Sequence, residues 1–88
     1  MAVIEKRTVE RLRRELRAIT GHADDPEAFA EIEALAAEWA EMRAERARAL
    51  TTEGDRPYSW AEIARPLSIT RQAAWKRYAG TAREDAGS

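Results

Sequence analysis

A chain of 88 residues, 44% hydrophobic and 35% charged, has room for one small domain with a single modest core, and partner chains can supply part of its stability. It has no cysteine, which excludes disulfides, thiolate metal sites and cysteine catalysis; its charged N-terminus and lack of any apolar run near the ~18 residues of a membrane span point to a soluble, cytoplasmic protein. The formal net charge of −1 hides a segregation in which residues 1–20 carry +3, residues 21–54 carry −6 and residues 56–83 carry +5, so a basic C-terminal unit suited to polyanions follows an acidic middle suited to basic partners.

Ala, Arg and Glu dominate and favour helix throughout. A first helix is predicted from about Val3 to Ile19. Val9, Leu12, Leu16 and Ile19 recur at spacings of 3, 4 and 3 as one narrow apolar stripe, and Gly21 stands at a C-cap position. Such a stripe packs on the second helix of its own chain, or does so and also joins a second chain, and both readings stand. His22 follows in the break as an ordinary loop residue; Asp24 and Asp25 beside it make only a weak ligand set.

Asp25-Pro26-Glu27 is a strong helix start, with Asp as N-cap, Pro at the first helical position and an acid in the first turn. The second helix is predicted to continue to about Leu50. Ile32, Leu35, Trp39 and Met42 again step 3, 4 and 3, with Phe29 and Ala36 widening the stripe, which makes Trp39 a core or dimer-seam residue. Arg43, Arg46 and Arg48 can pair with Glu41 and Glu45 along an exposed face. A helix of about 25 residues is ~37 Å long at a rise of ~1.5 Å per residue. That exceeds what a compact chain of this size requires, so part of it should contact something outside its own core.

Residues 51–58 (TTEGDRPY) form a connector broken by Gly54 and Pro57. Ser59 and Glu62 read as an S-x-x-E capping box opening a short helix, and Pro66 distorts or ends it because proline has no N–H to donate. Leu67-Ser68-Ile69 is a tight turn, Thr70 caps a last helix from Arg71 to about Tyr78, and Gly80 stops it. Ile63 and Leu67 are expected to face inward, Ala64 to sit where the two short helices cross, and Ile69, Ala74 and Tyr78 to pack back. Thr70, Arg71, Gln72, Lys76 and Arg77 remain outward. Trp60 and Trp75 read more readily as core than as ligand platforms, although Trp75 leaves its helix at a different angle from the core pair, and its side stays open.

Ile63, Ala64, Leu67, Ile69, Thr70, Arg71 and Ala74 match the pattern of a helix-turn-helix, and this segment resembles the DNA-binding end of sigma factors (region 4) and the DNA-binding domains of site-specific recombinases. The run SWAEIARPLSITRQAAWKRY is also similar to small helix-turn-helix regulators and nucleoid proteins from GC-rich genomes. The likeness covers about 20 residues of the chain, and departs from the pattern at Ser68, where glycine is usual, and at Pro66. It implies a second helix lying in the major groove with its N-terminal residues at base edges. By that resemblance Arg71, Gln72 and Lys76 are candidate base contacts, Arg suiting guanine and Gln adenine. Arg56, Ser59, Trp60, Thr70 and Arg77 are candidate backbone contacts.

The expected architecture is all-α: two long N-terminal helices (1–50, a dimerisation hairpin), a helix-turn-helix unit packed on it (51–80), and a disordered tail (81–88). The expected function is binding of double-stranded DNA as a homodimer, as a transcriptional regulator or a nucleoid-associated protein, with Val9, Leu12, Leu16, Ile19 and Trp39 as the seam. Two half-sites would then lie about one helical turn apart. The alternative is a protein-interaction module, with the acidic second helix as the surface for polymerase, a sigma factor or a toxin. No nucleophile, phosphate-loop or metal motif is evident, so neither an enzyme nor a cofactor or small-molecule ligand is expected.

Overall fold

A computed structural model describes residues 4–80. They are all-helical, with α1 at Lys6–Gly21, α2 at Pro26–Thr52, α3 at Trp60–Leu67 and α4 at Arg71–Tyr78, and no strand among the described residues. The predicted helix start at Val3 and the tail 81–88 lie outside them. The chain divides into two compact units, one ending at Ala37 and one beginning at Glu38. The boundary therefore falls inside α2, whereas the sequence reading placed it after residue 50.

In the first unit, α1 opens at Glu5, whose carboxylate accepts from the Thr8 N–H at 3.3 Å and the Thr8 hydroxyl at 3.0 Å. This acid does the capping that Ser or Thr more often does. Gly21 is the last helical residue, and His22 is the cap. His22 Nδ1 lies 2.7 Å from the Ala18 carbonyl, a bond made when Nδ1 carries the proton. It satisfies one of the carbonyls left open at a helix end. At the start of α2 the Asp25 carboxylate accepts from the Ala28 N–H at 2.8 Å, as the capping signature predicts. None of the described residues of this unit is buried. The α1 stripe is half exposed, with Leu12 at 50%, Leu16 at 52% and Ile19 at 48%. α2 of the same chain thus leaves that stripe half uncovered, although Ile19 shares a cleft with Ile32 and Leu35.

The second unit is built differently. Ala44 and Ala47 of α2 are buried with Tyr78 of α4, and Trp60 of α3 packs against them. Trp60 stacks on Tyr78 with ring centroids 6.5 Å apart and planes 9° from parallel, a separation at which aromatic pairs attract beyond their area burial. Arg48, expected on an exposed pairing face, is instead partly buried. Its Nη1 donates to the Tyr78 carbonyl at 2.7 Å while Nη2 lies 3.5 Å from Glu41. A cation at the C-terminal end of α4 meets the negative end of that helix as well as an open carbonyl. Among the described residues the buried apolar set is four alanines and Tyr78, so close approach of backbones, more than bulk of side chains, holds this unit.

Between α3 and α4 the chain makes the predicted tight turn. The Ser68 N–H donates to the Arg65 carbonyl and the Ile69 N–H to the Ala64 carbonyl, the paired bonds of a Schellman stop. Ser68 sits in the left-handed region at φ 59°, ψ 40°. The serine adopts the backbone usually assigned to glycine, at the steric cost of a Cβ. Pro66 is accommodated in the last turn, and α3 ends one residue later. Leu67, expected inward, is 46% exposed. It is the last residue of α3, beyond the crossing at Ala64.

Two substitutions test these contacts by urea unfolding. Ser68→Gly relieves a left-handed cost of about 1–2 kcal/mol and adds about 0.5–1 kcal/mol of chain entropy, for a net gain near ~0.5 kcal/mol; Ser68→Val moves the midpoint the other way. Arg48→Leu removes a charged donor from a partly buried carbonyl and lowers stability by about 1–2 kcal/mol.

Candidate nucleic-acid interface

The capping box predicted for α3 is present in both directions. The Ser59 N–H donates to Glu62 Oε1 at 2.8 Å, and the Glu62 N–H donates to Ser59 Oγ at 3.1 Å. Arg56 Nη2 lies 3.9 Å from Glu62 Oε2, with its side chain largely in solvent. Thr70 caps α4 by accepting from the Ala73 N–H at 3.0 Å. The Thr70 hydroxyl accepts from the chain here and keeps its O–H to donate to a phosphate oxygen, whereas the Ser59 hydroxyl also bonds the Glu62 carboxyl.

What orients α4 is the burial of Ala74, fully out of solvent, and of Tyr78, against α3 and α2. Ala64 of α3 is 2% exposed, as its place at the helix crossing predicts. At about 100° per residue, Arg71, Trp75, Gln72 and Lys76 then follow one another around a strip of about 140° that begins at Arg71, beside the edge of the Ala74–Tyr78 face, and runs away from it. All four are exposed. Arg77 lies on the opposite shoulder, its guanidinium 5.8 Å from the Tyr78 ring centroid. Trp75 is 51% exposed, so its side is settled: it stands with Arg71 and Gln72 and not with the core. Trp60 is the reverse case. Sequence reasoning read it both as core and as a candidate backbone contact, and its stack on Tyr78 gives it a packing role.

The electrostatics of the second unit are one-sided around α3 and α4. Among residues 56–78 Glu62 is the one acid, and among the described residues Arg65, Arg71, Lys76 and Arg77 make no salt bridge. Of the proposed seam residues, Trp39 is 56% exposed and carries Arg43 5.8 Å from its ring centroid; it is not core within the described chain. Val9 is half-buried, while Leu12, Leu16 and Ile19 are exposed. A cleft of about 330 Å³ lies between α1 and the start of α2, lined by Ile19, Ala28, Ile32 and Leu35 with His22 and Glu31. Arg48 is the residue that sequence reasoning missed. No local signal marks it, because α2 carries alanines throughout and those at 34, 36, 37 and 40 are exposed.

Among the described residues no helix is long and apolar enough to cross a membrane. No family model matches the chain, and neither a curated protein nor a solved structure matches it.

The Glu62 carboxyl is held below its ordinary value of 4.5, first by the Ser59 N–H, then by the Ser59 hydroxyl and the charges of Arg56 and Arg65. Between the lowered folded value and the ordinary one, the unfolded chain binds more protons, so stability there rises with pH. The contribution is fully present above pH 4.5 and is lost as pH falls through the folded value. Thermal midpoints of the wild type and Glu62→Ala should therefore differ by a constant amount near neutrality and converge in acid. A difference that grows as pH falls would contradict this.

Proposed function

We propose that this protein binds double-stranded DNA, with α4 lying in the major groove. One observation carries the reading. Ala74 and Tyr78 fix α4 so that Arg71, Gln72, Trp75 and Lys76 share one exposed strip, on a segment whose only acid is occupied by its own capping box. A half-exposed tryptophan between cations and an amide suits a base-edge reader, where its ring can meet a thymine methyl. Arg71 would address the two acceptors of guanine and Gln72 the donor–acceptor edge of adenine. Lys76 lies one turn further along the groove. Thr70, Ser59, Arg56 and Arg77 would hold phosphates on either side, setting register without reading sequence. A regulator or a nucleoid-associated protein fits this arrangement, and action at the nucleoid would follow.

A second reading is favoured by α2. From Pro26 to Met42 that helix carries Glu27, Glu31, Glu33, Glu38 and Glu41 and no cation, with Phe29, Leu35, Trp39 and Met42 exposed along it. In this reading the acidic helix docks a basic protein, and the helix-turn-helix is a scaffold.

Titration of a fluorescent 20-base-pair duplex at several salt concentrations separates the two. DNA binding predicts affinity that falls steeply with salt, and a loss of about 1–3 kcal/mol in Arg71→Ala, with weaker discrimination between sequences. Affinity for duplex that is unchanged by Arg71→Ala at every salt concentration rules out the recognition-helix assignment.

A further inference from the structure

We propose that α1 and the start of α2 form a self-association surface, on which the basic α1 of one copy covers the acidic start of α2 in a second copy. This deepens the expected homodimer by assigning its pairing, and it does not depend on what α4 binds.

The first unit consists of α1 and residues 26–37 of α2, and none of its described residues is buried. Helices of this length are marginal in water without a packed face. Yet Leu12, Leu16, Ile19, Phe29 and Leu35 are each 43–55% exposed. Together they leave roughly 500 Å² of apolar side chain uncovered per copy, or about 1,000 Å² for a pair, the scale at which an interface becomes specific. The cleft lined by Ile19, Ile32 and Leu35 gives that surface a concave region to receive a partner's side chains.

Charge identifies the occupant. Lys6, Arg7, Arg11, Arg13, Arg14 and Arg17 of α1 stand against Glu10 and Glu15, while Pro26–Ala37 carries Glu27, Glu31 and Glu33 and no cation. Setting α1 on a second α1 opposes cations to cations, and setting the α2 start on another opposes acids to acids. Only α1 on the partner's α2 start is attractive, and twofold symmetry then makes the contact twice. Glu31 lines the cleft and is positioned to meet a partner cation. A surface carrying both signs on adjacent helices is complementary to itself, which selects a second copy over an acidic or a basic stranger.

Sedimentation of the full chain tests this. At tens-of-micromolar concentration the wild type should run at twice its 9.9 kDa mass, dissociating further as salt rises. The double variant R13E/R17E and the double variant E31K/E33K should each lose self-association at least tenfold. These four positions are exposed and both replacements suit helices, and circular dichroism confirms that each chain keeps its helix content. Mixed in equal amounts, the two variants should form a mixed pair, because each then offers the charge the other lacks. A wild type that stays at 9.9 kDa, variants that pair as well as the wild type, or a mixture that yields no mixed pair would each overturn the proposal. Arg71→Ala should remain dimeric, so loss of DNA binding and loss of pairing are read separately.

Discussion

The geometry of the C-terminal unit depends on how closely α3 and α4 approach. Ala64 and Ala74 are essentially out of solvent, and at each of those positions a larger side chain would hold the helices apart. The approach also requires the chain to reverse within three residues, which Ser68 permits by entering the left-handed region. Its N–H and that of Ile69 close the carbonyls of Arg65 and Ala64, so the turn leaves little backbone unsatisfied. Once these contacts are made, the rotation of α4 about its own axis is fixed, and with it the identity of the side chains that face outward. The candidate interface is thus a consequence of two alanines and one strained serine.

The second support comes from α2, whose C-terminal half behaves as the third helix of the same unit. Ala44 and Ala47 admit Tyr78, Tyr78 carries Trp60, and Arg48 binds the Tyr78 carbonyl. The C-terminal turn of α4 is therefore anchored through both its side chain and its backbone. The N-terminal turn, where Arg71 and Gln72 stand, is held by the Thr70 cap and by the Ser68 turn. Anchoring both ends of an eight-residue helix matters because so short a helix has little stability of its own.

Local signals were the legible ones. Asp25, Ser59 with Glu62, and Thr70 all cap as their spacing implies, because capping depends on residues three apart in the chain. Less legible was whatever depends on distance between elements. Leu67 satisfies the inward angle of α3 but lies past the crossing, and Arg48 sits on what looks like a solvated charge ladder. The division of α2 between two units has no punctuation in the sequence, since the helix runs unbroken through Ala37 and Glu38. Trp75 needed the position of the Ala74–Tyr78 face to be known before its side could be assigned. The narrow α1 stripe left two readings open, and the exposure of Leu12, Leu16 and Ile19 shows that α2 of the same chain leaves it half uncovered.

The charge pattern links the two proposals. A chain with net charge −1 does not attract a polyanion at long range, and fields beyond about 8 Å are screened in physiological salt. Attraction must then come from local clusters, and the cations of α3 and α4 supply one. The pairing proposed for the first unit would bring the basic units of two copies together. Pairing and polyanion binding would then be thermodynamically linked. A duplex that engages both copies would favour the pair, and by reciprocity the pair would bind the duplex more tightly than either copy alone.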